Sequence, residues 1–182
     1  DYPAALVSYE KVNRTNLASP ATFFSAAKTM ELMNADPKAV LAVMDSCVAH
    51  CPQPISADNA PYVLERAQMN MNAGEYRSAM LDYDTYFKAV DGQVNDVFYY
   101  YREQAEFKAR QYQRALDDIA KAIELNPKEL TYRAEKAVIN LRVGRYEEAL
   151  KVLDEVLAID PKYAEAYRLK GICLIQLKKQ EE

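Results

Sequence analysis

Cys47, His50 and Cys51 are the residues whose types and spacing come nearest to metal chemistry in this sequence. Two thiols and an imidazole on one helix end supply three ligands, where a closed zinc site takes four. No second Cys/His cluster completes the set: His50 is the only histidine, and the third cysteine is Cys173. Free cysteine is among the most buried residue types. Cys47, His50 and Cys51 are therefore read as side chains of a packed helix, and no metal is expected. An odd cysteine count also gives no disulfide framework, and a Cys47–Cys51 bridge would strain helical geometry.

Catalysis finds no better footing. A nucleophile needs a base beside it, usually histidine, and His50 falls at an expected helix end with no nucleophile motif nearby. Four scattered glycines cannot build a phosphate-cradling loop. The adjacent acids Asp117–Asp118 and Glu147–Glu148 diverge around a helix and are expected to be solvated surface. Neither an enzyme nor a bound cofactor is expected.

Composition narrows the partner. The chain has 182 residues, half of them hydrophobic, with a formal net charge of −4 and no dense Lys/Arg block. Fourteen Tyr could stack on bases, but single-strand binding also requires a basic groove, so nucleic acid is not expected. No apolar run reaches the roughly 18–20 residues of a membrane span, and no basic-then-apolar leader is present. The sequence does not begin with Met, so a leader removed before Asp1 is compatible with it. The compartment stays open.

The elements that position these residues emerge from a repeat. Tyr112 and Ala115 recur as Tyr146 and Ala149, and the same Tyr-x-x-Ala stands at Tyr76–Ala79 and Tyr2–Ala5. Ala5, Ala39, Ala79, Ala115 and Ala149 follow one another at near-constant intervals, the widest being that from Ala39 to Ala79. Paired helices approach to about 8–10 Å only where small side chains meet. Those alanines fill that role on the second helix of each pair; Ala27, Ala67, Ala137 and Gly171 fill it on the first. Asn126-Pro127 and Asp160-Pro161 stop one helix and begin the next. Asp36 with Pro37 is an N-cap and first-turn pair, and Gly74 marks a turn.

With these features the chain resembles the tetratricopeptide repeat family, whose unit is about 34 residues. The resemblance implies an all-α fold, a right-handed superhelical array of antiparallel helix pairs (an α-solenoid) with about ten helices. A single array is expected over 1–182. It comprises a second helix of a truncated repeat at 1–18, a divergent repeat at 19–53, a connector at 54–59, and repeats at 60–95, 96–129 and 130–163. The first helix of a further repeat follows at 164–182. Gln180 falls where another second helix would open, so both ends lie inside repeats. The stripe of apolar residues from Tyr163 to Leu177 is too wide for a solvent-facing cap helix; a longer array or self-association through that helix is expected.

One junction departs from the pattern. Glu103 stands where the first helices otherwise carry Ala or Gly, and Tyr86 where Val12, Ser46, Ala122 and Val156 stand. Burying an unpaired carboxylate is costly. Glu103 is therefore expected to tilt toward solvent or to meet Arg102, Lys108 or a Tyr hydroxyl, and a wider angle between repeats there would open the groove beside Tyr99, Tyr100 and Tyr101.

The resemblance further implies that first helices line a concave, peptide-binding face. That face would present Phe24 and Lys28; then Glu65, Gln68 and Asn72; then Tyr100, Tyr101, Gln104 and Lys108; then Glu135, Val138 and Arg142. Aromatic anchors in a polar surround suit protein recognition. The cationic clamp of cochaperone members is absent: its places read Leu64, Gln68, Tyr101, Thr131 and Glu135, or in the next frame Tyr100, Gln104, Glu135, Glu165 and Leu169. The expected function is a non-enzymatic scaffold that binds a peptide or helical protein segment of basic or aromatic character. The alternative is a structural or regulatory arm of a larger cell-envelope or sensory protein, acting through its end faces.

Overall fold

Prolines, left-handed turn residues and short polar stretches cut the chain into helices. The computed structural model describes residues 2–15 and 18–181, the side chains of Tyr2, Asn13, Lys179, Gln180 and Glu181 excepted. Ten helices and no strand are found among the described residues: α1 (Tyr2–Asn13), α2 (Pro20–Leu32), α3 (Pro37–Ala49), α4 (Ala60–Ala73), α5 (Tyr76–Ala89), α6 (Asp96–Lys108), α7 (Tyr112–Leu125), α8 (Leu130–Arg142), α9 (Tyr146–Ile159) and α10 (Ala164–Glu181). Residues 1, 16 and 17 of the segment expected at 1–18, and the Tyr2 side chain of the first motif, lie outside the described residues.

The chain divides into two compact units, Asp1–Gln93 and Val94–Glu182. In the first, α2 pairs with α3 and α4 with α5, while α1 lies on α2 and α3 on α4. In the second, α6 pairs with α7 and α8 with α9; α7 meets α8, and α10 packs on α9 and α8. Short connections make the paired helices antiparallel neighbours.

Local chemistry explains the boundaries. Ser19 and Thr22 form a reciprocal capping box ahead of Pro20 at the first turn of α2. Glu129 caps α8 by accepting from the Thr131 amide at 3.0 Å. Gly74 and Gly144 close α4 and α8 with φ of 79°, the left-handed conformation that glycine adopts without penalty. Asn34 and Arg110 take the same region at φ 53° and 63°, which for a residue with a Cβ costs about 1–2 kcal/mol. Asp36 does occupy the N-cap of α3, but its side chain makes no capping hydrogen bond.

The small residues sit where the pairs meet, with two corrections. Ala79, Ala115 and Ala149 are fully buried, as are Ala27 and Ala67, and Ala137 nearly so. Ala39, however, is exposed and Val40 takes its place in the core. The turn from Asn34 to Pro37 is one residue longer than that from Gly74 to Tyr76, which moves every following side chain one position round the helix. Gly171 is exposed, and a Cβ there would meet nothing within 4 Å. Ala137, its counterpart, packs in one cluster with Ala149 and Leu153 of α9; α10 has no such second helix among the described residues. The helix itself runs through Gln180 to Glu181, so the second helix expected to open at Gln180 does not begin there.

Each unit has its own core. Phe23, Ala27, Val40, Met44, Cys47 and Met69 fill the first, with a satellite of Val48, Cys51, Ile55 and Val63. In the second, Ala115, Leu116, Ile119 and Ala122 present the i, i+1, i+4, i+7 stripe of α7 to Tyr132 and Ile139 of α8. Ala137, Leu153, Val156, Ala166, Leu169 and Cys173 make the other layer. Burying a side chain such as Leu153 in full stabilises by about 1.5–3 kcal/mol.

Candidate functional site

The two hairpins α4–α5 and α6–α7 carry the same internal brace. Arg66 reaches from α4 to Asp82 of α5, its Nε donating to Oδ2 at 3.0 Å and Nη2 to Oδ1 at 2.5 Å. Arg102 reaches from α6 to Asp118 of α7 in the same way, at 2.6 and 2.8 Å. Bidentate guanidinium–carboxylate pairs combine charge with fixed geometry. Asn70 donates to Asp82 at 2.9 Å, and Arg66 also meets Asp45 of α3. Asp118 is thus buried, not solvated surface as its sequence neighbourhood suggested, while Asp117 accepts from exposed Gln113. A signal exists in the sequence: Arg66 precedes Asp82 by the same separation as Arg102 precedes Asp118.

Glu103 is 1% exposed, so it does not tilt toward solvent. Its Oε2 has no hydrogen-bond partner. Burial, and then the charges of Glu135, Glu106 and Asp118, push its carboxyl up to about 8, which leaves the group protonated at neutral pH. Neutralisation is the route by which a carboxyl can occupy a place built for alanine. Neighbouring Glu106 accepts from Arg114 at 2.9 Å.

The twelve residues mapped to the first-helix face are all at least partly exposed. In the first unit Lys28 pairs with Glu65 at 2.7 Å and with Glu31 at 2.6 Å, and Phe24 packs on Tyr62 with ring centroids 5.2 Å apart. Gln68 and Asn72 are exposed along α4. In the second unit Tyr100 lies between Tyr132 at 5.2 Å and Tyr101 at 6.4 Å, and Tyr101 is 39% exposed. Gln104 and Val138 are half-buried, Val138 against the core layer of α8 and α9. Glu135 is half-buried and makes no ion pair among the described residues. Burial raises its carboxyl, Glu165 adds to the rise, and Lys108 opposes it. Lys108 and Arg142 are exposed and line one cavity.

Cys47, His50 and Cys51 hold no metal geometry among the described residues. The Cys47 thiol donates to the Pro20 carbonyl, that of Cys51 to the Cys47 carbonyl, and the His50 ring stacks on Phe23. Burial pushes the Cys47 thiol up to about 12. On α10, Tyr167, Leu174 and Ile175 are more than half exposed. No helix is long and apolar enough to cross a membrane among the described residues.

Residues 72–156 match the family described as anaphase-promoting complex, cyclosome, subunit 3, and residues 140–182 match the tetratricopeptide repeat. Tetratricopeptide repeat protein 28 of Mus musculus is 34% identical over 63% of this chain and 5% of its own length. Small glutamine-rich tetratricopeptide repeat-containing protein 2 of Mycosarcoma maydis is 31% identical over 41% of this chain and 21% of its own. The chain therefore spans a small part of these curated relatives. Among solved structures, MamA superposes with a TM-score of 0.69 at 17% identity, covering 87% of this chain and 82% of that one. YrrB, described as a tetratricopeptide repeat protein with an unusual peptide-binding site, gives 0.66 at 20% identity, covering 95% and 85%.

Proposed function

The chain is a tetratricopeptide repeat protein, and from that premise we propose that it is a non-enzymatic scaffold that binds a peptide or helical segment of a partner on its first-helix face. Proteins of this fold mediate protein–protein interaction, and YrrB is described as having a peptide-binding site. The observation that carries the reading is the α6–α8 surface of the second unit. There exposed Tyr101 lies against half-buried Tyr100, which is within electrostatic reach of Glu135, a carboxylate without an ion pair among the described residues. An aromatic anchor next to a half-buried carboxylate that forms no ion pair gains from a partner that covers the ring and supplies a basic group. In the first unit Lys28 and Glu65 already neutralise each other, so that unit's own first-helix surface, with Phe24, Gln68 and Asn72, carries less charge preference.

Selection of binding peptides from a random display library tests this. Selected peptides should lose about tenfold in affinity, about 1.4 kcal/mol, on Tyr101→Ala or Glu135→Lys, with the melting temperature of each variant close to that of the parent. Peptides whose affinity ignores both substitutions would move the binding face elsewhere. A second reading, self-association through α10, is favoured by the exposure of Tyr167, Leu174 and Ile175. Light scattering on the eluted protein tests it: a monomer at working concentration removes it.

A further inference from the structure

The cavity shared by Lys108 and Arg142 has chemistry that the aromatic face does not account for. It measures about 440 Å³ and is lined by Phe107, Lys108, Arg110, Tyr112 and Arg142. Three cations therefore converge on one concavity in a chain of formal charge −4. All three are exposed, and none makes an ion pair among the described residues. The walls are aromatic: Phe107 and Tyr112 meet at 5.7 Å, and the Arg142 guanidinium lies 6.0 Å from the Phe107 ring centroid.

Helix ends alone do not account for these charges. Lys108 and Arg142 stand in the last turns of α6 and α8, where a cation complements exposed carbonyls. That does not bring them together with Arg110, which comes from the turn. Nor does it explain a difference within the molecule. The first unit has a cavity at the corresponding place, about 390 Å³, between the α2–α3 turn and the last turn of α4. Its lining includes Glu31, Asn34, Pro37, Met69 and Asn72 and no cation, and neither α2 nor α4 has a basic residue in its last turn. Asn34 and Arg110 are the left-handed residues of the two turns. The repeat supplies the concavity in both units; only the second is lined with positive charge.

Resting on the reading that the second unit binds a protein segment, we infer that the cavity of Phe107, Lys108, Arg110, Tyr112 and Arg142 is the subsite for an acidic group of that segment, a peptide oxyanion held by the three cations with its neighbouring apolar atoms on the two rings. Guanidinium and ammonium groups together match a carboxylate or phosphate. Arg142 follows Glu135 by seven residues on α8, about 10 Å along the axis, so one segment can address the acidic and the basic part of this face.

Nitrogen-15 NMR titration of the whole chain with capped pentapeptides, Ala-Ala-X-Ala-Ala with X as glutamate, phosphoserine or serine, tests the subsite. The glutamate and phosphoserine peptides should shift the Lys108 and Arg110 amides and the Arg142 Nε–H saturably, and the serine peptide should not. Their relative affinities, with an uncapped serine peptide beside them, separate side-chain carboxylate, phosphate and chain-terminal carboxylate as the source. Affinity should fall several-fold between about 50 and 200 mM salt. Lys108→Gln and Arg142→Gln should each weaken binding at least threefold and together abolish it, with unchanged circular dichroism, while Lys38→Gln, exposed on α3 of the first unit, leaves it intact. Absence of saturable shifts with every acidic peptide, equal binding by the double variant, or binding only by single-stranded decathymidylate overturns the inference. Display-selected peptides that still depend on Tyr101 would then leave the broader reading standing.

Discussion

Glu103 carries a carboxyl group at a place where the neighbouring repeats hold alanine, and it survives there by keeping its proton. Burial lifts its pKa to about 8, against about 4.3 for an exposed glutamate. Folding therefore takes up a proton. The stabilisation linked to that uptake is complete at low pH, below the unfolded value, and is lost as pH rises toward and through 8. Glu103→Gln keeps the shape without the charge, so its stability relative to the parent should improve between about pH 5 and pH 8.5, by roughly 2–4 kcal/mol. Urea denaturation of both proteins at the two pH values measures this, and a constant difference would place the carboxyl in a solvated setting. The sequence marks Glu103 as an exception but points it toward water or toward Arg102, Lys108 or a Tyr hydroxyl, because the cost of a buried charge is counted for the ionised form. Asp118 departs from its expected exposure for a related reason. Its charge is matched by Arg102 on the preceding helix, and a shared separation between unlike residue types is silent in a search for repeated identical ones.

Among elements, the hairpin is the piece most legible in the chain. Tyr76, Tyr112 and Tyr146 each open a helix where the repeat places them, and Ala79, Ala115 and Ala149 each end fully buried. Periodicity reports these well because close helix approach admits few side chains. The divergent pair α2–α3 is legible as two helices but not in phase: one extra turn residue exchanges Ala39 for Val40. Close packing gives a direct prediction. Ala115→Leu or Ala149→Leu should destabilise by about 1–3 kcal/mol through overpacking, whereas Glu147→Gln or Glu148→Gln, both exposed, should change stability by under about 0.5 kcal/mol. Chemical denaturation of the four variants ranks them, and the reverse order would break the assigned packing. The candidate face is legible only in part. Residue types at first-helix positions are readable, but that Lys28 and Glu65 pair while Glu135 forms no ion pair among the described residues depends on contacts between helices, which no spacing encodes.

At the level of the whole molecule, the three thiols are distributed so that each unit reports on itself. Cys47 and Cys51 are buried in the first unit and Cys173 in the second. Thiolate is the reactive form, and burial raises all three groups above the ordinary thiol range. The native chain should label slowly with iodoacetamide at about pH 8, and rising urea should expose Cys47 and Cys51 together, with Cys173 following the opening of its own unit. Mass spectrometry of the labelled peptides reads each site, and fast labelling of any of the three in native buffer would contradict its packing. The buried carboxyl of Glu103 has a further thermodynamic consequence. At neutral pH the native molecule is about one elementary charge less negative than its formal −4, and melting it hands that hydrogen ion to the solvent. Calorimetric unfolding enthalpies should therefore differ between phosphate and an amine buffer by close to the difference in their protonation heats.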